Sequence, residues 1–268
     1  MNRLFRFLLS ASCLLAACAP QPLTVTREPA TLRLVAADSC GPLVEELAAA
    51  YHESHTWVTV TVIGLFNSDT AEQSLLAGEA DVALLSWLGD DTSEEGLWAQ
   101  PFARDGVAVI AHPAMPFTET GLAHLQEIYW GRVQEWSGVV LTVVSREDGC
   151  GTRVIFDGAV LGNRDVTRTA VVMSSAKSVI EQVAHTPGAI GYVSTLWINE
   201  SSGVLVLPVE GVLPAPDTIY DESYPLARPL YLATAGEPTG EVRQFAQWVL
   251  GPDGQAAVGR VQERQSAR

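Results

Sequence analysis

The sequence predicts an α/β protein in which mixed, parallel-rich sheets are covered by helices on both faces. Three observations predict it. Short apolar runs of strand length alternate with amphipathic runs of helical length along nearly the whole chain. Clusters of small polar residues fall at the strand-to-helix junctions. One junction, residues 145–153 (SREDGCGTR), joins the β-branched run 139–144 (VVLTVV) to the helix-compatible run 154–161 (VIFDGAVL).

The elements follow in order. Residues 32–37 (LRLVAA) read as a strand, and 42–55 as a helix carrying Leu43, Leu47, Ala50 and Tyr51 on one face. Residues 58–63 (VTVTVI) are a second strand and 70–77 a second helix. Strands at 81–85 and 107–111, a helix at 122–129 and the strand at 139–144 come next. Runs 170–173, 179–184, 190–193 and 204–209 continue the alternation. A last strand at 230–234 precedes two helices, 242–250 and 253–261. No internal repeat or low-complexity segment interrupts this pattern.

In such sheets ligands bind beyond the carboxyl ends of strands, at helix starts. Residues 145–153 have the chemistry for an anion there. The amides of Cys150, Gly151, Thr152 and Arg153 would lack intrahelical partners at the positive end of a helix dipole. Gly149 and Gly151 permit close approach to the backbone, Thr152 adds a hydroxyl, and Arg146 offers a guanidinium. A small tetrahedral oxyanion is the natural guest. The plain alternative is a capped helix with two solvated arginines. Two further junctions have the same character: Ser39 and Cys40 after the first strand, and Asn67, Ser68, Asp69 and Thr70 after the second. Each alone is a routine N-cap. Three in one topology point to convergence.

The start of the chain reads as an export leader. Arg3 and Arg6 bracket a basic beginning, and residues 5–15 are apolar but too short for a permanent span. They end in LAAC (residues 15–18), which resembles the bacterial lipobox, so residues 1–17 are a signal peptide and Cys18 is the lipidation site. Residues 18–30 then form a tether rich in Pro and Thr. The mature chain is expected outside the cytoplasm, held at the membrane by lipid. About 240 residues remain, enough for one large or two modest domains. The formal charge of −15 becomes about −17 once Arg3 and Arg6 are removed. That surplus argues against nucleic acid, though not against a small anion held by local amides and arginines.

Catalysis finds little support. The five histidines form no metalloprotease motif, and there is neither a nucleophile elbow nor a CxxC pair. Only Cys150 is a plausible nucleophile. The scattered tryptophans read as packing rather than as a sugar-stacking platform.

Beyond residue chemistry, the chain resembles the phosphate-binding lipoproteins of bacterial ABC transporters, in the periplasmic-binding-protein superfamily. SREDGCGTR is similar to the family's S-R-x-D-G-S-G-T-R signature. FARDGVAVIAHP (102–113), IYWGRVQEW (128–136), PGAIGYVS (187–194) and YPLARPLYL (224–232) echo further family segments in order. The resemblance implies a two-lobed, type II fold with two hinge crossings, near residues 105–109 and 225–229. Lobe I would comprise 31–106 and 228–268, and lobe II 107–227. Carried over by position, the ligand residues are Ser39, Cys40, Asn67, Ser68 and Ser86 from lobe I, and Arg146, Cys150, Gly151 and Thr152 from lobe II. It implies a monomeric receptor, not an enzyme, without cofactor or metal. Its partners would be inorganic phosphate or a related oxyanion, the permease subunits and, through lipid, the membrane. The alternative is a degenerate relative that senses an oxoanion or docks a partner without transport.

The chain departs from the pattern in places. Phe66 makes the second-strand loop bulkier, Ser86 with Trp87 replaces an acid found in some members, and Cys150 replaces serine. Asp38 and Asp69 are the two acids open to take over that acid's part. Cys40 and Cys150, one per lobe, are open to three readings: a disulfide across the cleft, a reactive thiol at Cys150, or two small residues in former serine positions.

Overall fold

In a computed structural model, which describes residues 27–89, 96–162 and 164–266, the chain forms two α/β halves that share one long strand. The leader with Cys13 and Cys18 lies outside the described residues. β1 (Ala30–Ala37) ends in four buried residues and enters a 3₁₀ turn, Asp38–Cys40, followed by α1 (Gly41–Ser54) with Pro42 in its first turn. α1 presses Leu43, Val44, Leu47 and Tyr51 into the core, each worth roughly 1.5–3 kcal/mol of burial. β2 (Val58–Phe66) passes through Asn67 into α2 (Ser68–Leu76), and β3 (Val82–Leu85) stops at Ser86. β4 (Leu97–Ala111) carries the chain into the second half.

That half contains α3 (Leu122–Tyr129), a hairpin of β5 (Glu135–Trp136) and β6 (Val139–Val140), β7 (Thr142–Arg146) and α4 (Gly151–Phe156). It continues with β8 (Val171–Met173), α5 (Ala176–His185), β9 (Ala189–Ser194), β10 (Leu205–Leu207) and α6 (Pro216–Tyr220). β11 (Ala227–Ala235) returns to the first half, which ends with α7 (Gly240–Leu250) and α8 (Pro252–Ser266).

The strand order is β2-β1-β3-β11-β4-β9-β7-β8, with β10 also on β4. Pairs at both ends of this order are parallel, whereas β11 and β4 make the middle antiparallel. β4 pairs with β11 up to Gly106 and with β9 from Val107 onward. Each half buries a core on both faces of its sheet. In the first half α1, α7 and α8 cover one face and α2 the other. In the second, α3 and α4 cover one face and α5 the other. Parallel strands therefore aim their carboxyl ends, and the helix starts that follow, at the seam between the halves.

Several expected elements have different bounds. The run 107–111 is only the tail of β4; Pro101, Arg104 and Asp105 break the periodicity of its first part. The run 139–144 splits into β6 and β7 because Leu141 N bonds to Gln134 O and Thr142 N to Gly188 O. The second helix starts at Ser68 rather than 70, since Asn67 caps it by accepting from Thr70 N at 2.8 Å. α4 is followed by a π-helical turn, Asp157–Leu161, rather than by more α-helix.

Candidate oxyanion site

The turns after β1, β2, β3 and β7 meet at the seam. Ser68, which opens α2, and Ser86, which ends β3, share a hydrogen bond of 2.9 Å between their hydroxyls, and both are buried. Opposite them lies the start of α4. A Cβ built on Gly151 would sit 2.5 Å from Ser86 Oγ, 2.8 Å from Ser68 Oγ and 2.9 Å from Trp87 Cβ. Only glycine allows the two halves to come this close. Two hydrogen bonds stitch the rim: Asp69 N donates to Gly149 O and Asn67 Nδ2 to Asp148 O, each at 3.4 Å. Gly149 takes a positive φ of 75° beside the Asp69 carboxylate, and burial pushes that carboxyl above its ordinary pKa.

Arg146 ends β7 and is 1% exposed. Its backbone is fixed by Tyr192, whose hydroxyl accepts from Arg146 N and bonds Ser145 Oγ at 2.8 Å. The guanidinium is largely committed to protein. Nε donates to Met173 O and Glu147 Oε2, Nη2 to Glu147 Oε1 and Ser174 O, and Nη1 to Asp38 Oδ2 at 3.1 Å. Burial opposes its charge, but the neighbouring acidic groups Cys150, Glu147 and Asp38 outweigh it and hold the pKa up. Asp38 Oδ2 also accepts from Ala176 N, the first residue of α5, at 2.7 Å. Asp38, at the end of β1, thus binds one half to an arginine and a helix start of the other.

A second buried ion pair lies where β4 changes partner. Arg228 Nη2 and Asp105 Oδ2 are 2.7 Å apart, with side chains 1% and 0% exposed. Thr195 Oγ1 donates to Asp105 Oδ1 at 2.8 Å, and Arg228 Nη2 donates to Thr152 Oγ1 at 3.0 Å. The network therefore reaches the α4 turn from below.

Ser39, Cys40, Ser68, Ser86, Arg146, Cys150, Gly151 and Thr152 are all buried at these junctions. Ser39 Oγ has no hydrogen-bond partner, while Ser39 O accepts from Ser194 Oγ. Asn67 acts as helix cap and rim tie. Phe66 does not enter the seam: it is exposed, its ring folded against Gly64. Both Cys40 and Cys150 are free thiols, so no covalent clamp holds this conformation. Sequence reasoning did not anticipate that Arg228 and Asp105 pair here and reach Thr152. Their segments stood out as crossings, and an arginine and an aspartate inside apolar runs were the signal.

Burial, partly countered by Arg228, pushes the Cys40 thiol up to about 12. Alkylation requires thiolate. Native protein treated with iodoacetamide at pH 8 is therefore expected to carry no adduct on Cys40 by mass spectrometry, and to gain one in denaturant. Rapid native labelling at Cys40 would contradict the buried placement.

Two α/β halves joined through antiparallel crossings, with strand-to-helix turns closing on one seam, define a periplasmic-binding-protein fold of type II. The chain belongs to the PBP superfamily, whose domain description matches residues 24–253. It is similar to the phosphate-binding protein PstS of Bacillus subtilis strain 168, at 24% identity over 242 residues, covering 85% of this chain and 78% of that one. A Clostridium perfringens crystal structure with bound phosphate superposes with a TM-score of 0.81 at 25% identity, covering 87% of this chain and 98% of the other. An ABC-type phosphate transport receptor from Vibrio cholerae superposes with a TM-score of 0.69 at 24% identity, covering 86% and 98%.

Proposed function

We propose that this chain is a lipid-anchored, extracytoplasmic receptor that captures inorganic phosphate, or a closely similar tetrahedral oxyanion, for an ABC transporter. The observation that carries the reading is the seam at Gly151. There the first turn of α4 faces Ser68 and Ser86 at distances that only a glycine permits. The amides of that turn, the hydroxyls of Ser39, Ser68, Ser86 and Thr152, and a guanidinium supply many donors to one desolvated anion. Donors from both halves make capture and closure one event, and opening on the permease would release the anion. The relatives with phosphate in their names support the choice of ligand.

The finer parts of the reading rest on sequence. The lobes would divide as 31–106 with 228–268, and 107–227, pivoting where Asp105 pairs with Arg228. Cys18 would carry the lipid, residues 1–17 would be removed, and the receptor would act as a monomer without catalysis. Among the described residues no helix is long and apolar enough to cross a membrane.

Calorimetric titration of protein begun after Cys18 tests the ligand. Phosphate is expected to bind at about 1 μM or tighter, or roughly −8 kcal/mol, with arsenate close behind and sulfate weaker. Absence of heat and of any thermal stabilisation by millimolar phosphate would remove the reading.

A further inference from the structure

Arg228 is 1% exposed and carries more hydrogen-bonding capacity than its ion pair uses. Nε and Nη2 both donate to Asp105 Oδ2, at 3.0 and 2.7 Å. The remaining hydrogen of Nη2 goes to Thr152 Oγ1 at 3.0 Å. The side edge of the guanidinium is therefore spent on Asp105, and one arm of its end edge on Thr152. In a planar guanidinium the two end-edge N–H bonds run parallel. The other arm, on Nη1, points alongside the Thr152 hydroxyl, toward the turn that holds Gly151. Nη1 is buried and has no hydrogen-bond partner.

The surroundings on the far side match. Cys40, at the start of α1, lies close enough for Arg228 and Asp105 to act on its thiol. Its neighbour Ser39 holds a second buried hydroxyl without a partner. Arg146, by contrast, has given Nε and Nη2 wholly to protein acceptors and one Nη1 hydrogen to Asp38. Buried donors left unpaired are rare and costly, so two at one seam call for a shared acceptor.

We propose that Arg228 is a second guanidinium of the oxyanion site, donating through Nη1 to the same anion that Thr152, Gly151 and Ser39 face. Its position on β11, opposite Asp105 on β4, makes it the side chain through which the anion grips the strands that cross between the halves. The inference rests on the oxyanion reading and adds a binding residue to it.

The test is calorimetric titration with inorganic phosphate of the wild-type protein, the Asp105→Asn/Arg228→Gln double variant, and Arg228→Lys, with thermal melting of each. The double variant replaces the ion pair by two amides that can still bond each other, so the crossing keeps a polar pair. Arg228→Lys keeps the charge beside Asp105 but loses the fork. The expected result is at least a tenfold weaker phosphate affinity in both, with cooperative melting retained in at least one. A folded variant of either kind binding phosphate as the wild type does would overturn the role of Arg228 while leaving phosphate capture intact. A wild-type protein silent toward phosphate, arsenate and sulfate would overturn both.

Discussion

Gly151→Val is expected to weaken phosphate binding by at least about a hundredfold, close to 3 kcal/mol, with little change in melting temperature in phosphate-free buffer. The Cβ of any larger residue would meet Ser86 Oγ at 2.5 Å, Ser68 Oγ at 2.8 Å and Trp87 Cβ at 2.9 Å. None of these is the loose tip of a long side chain. Both serines are buried and bonded to each other, and a Cβ moves only with its backbone. The strain is relieved by parting the two halves, which takes the α4 amides away from the first-half hydroxyls. Each half keeps its own core, because the clash lies between halves rather than within either sheet. Titration calorimetry reads the affinity, and small-angle scattering with added phosphate reads closure. Wild-type affinity in the valine variant would mean that the seam does not close on the ligand.

The second large effect concerns stability. Asp105→Ala strips Arg228 of its counter-ion where both side chains are at most 1% exposed. It also removes the acceptor of Thr195 Oγ1. Breaking one side of a buried ion pair costs about 3–5 kcal/mol. For a chain of this size that is a fall in melting temperature of roughly 6–20 °C. Replacing both partners with apolar residues, as in Asp105→Leu/Arg228→Met, should recover much of the loss, because neither charge is then buried alone. Thermal melts followed by circular dichroism decide it. A single variant melting within a degree or two of wild type would show that the pair contributes nothing to holding β4 and β11 together.

Local periodicity was enough to place most elements, because a core-facing helix or strand writes its burial pattern into consecutive residues. α1, α3 and β9 are cases where apolar spacing and burial agree closely. The site was legible to the same degree. Ser68, Gly151 and Thr152 stand at turns whose composition already marked them as helix starts, whereas Ser86, at the end of β3, was carried over only from the family resemblance; the structure brings all four together. Where periodicity failed, the cause was pairing between distant segments. The first part of β4 carries Pro101, Arg104 and Asp105, which no single-strand pattern favours; it is a strand because β11 aligns with it from Leu97 to Gly106.

The amino-acid order by itself determined the alternating α/β character, the excess of acid, and the glycine-broken turns that offer donors to an anion. Only the tertiary structure decided which charges meet: Arg146 with Asp38, 108 residues away, and Arg228 with Asp105, 123 residues away. Elements depend on neighbours along the chain, which a sequence displays directly. Ion pairs across a seam depend on strand register and on how two halves close, and those exist only once the chain has folded.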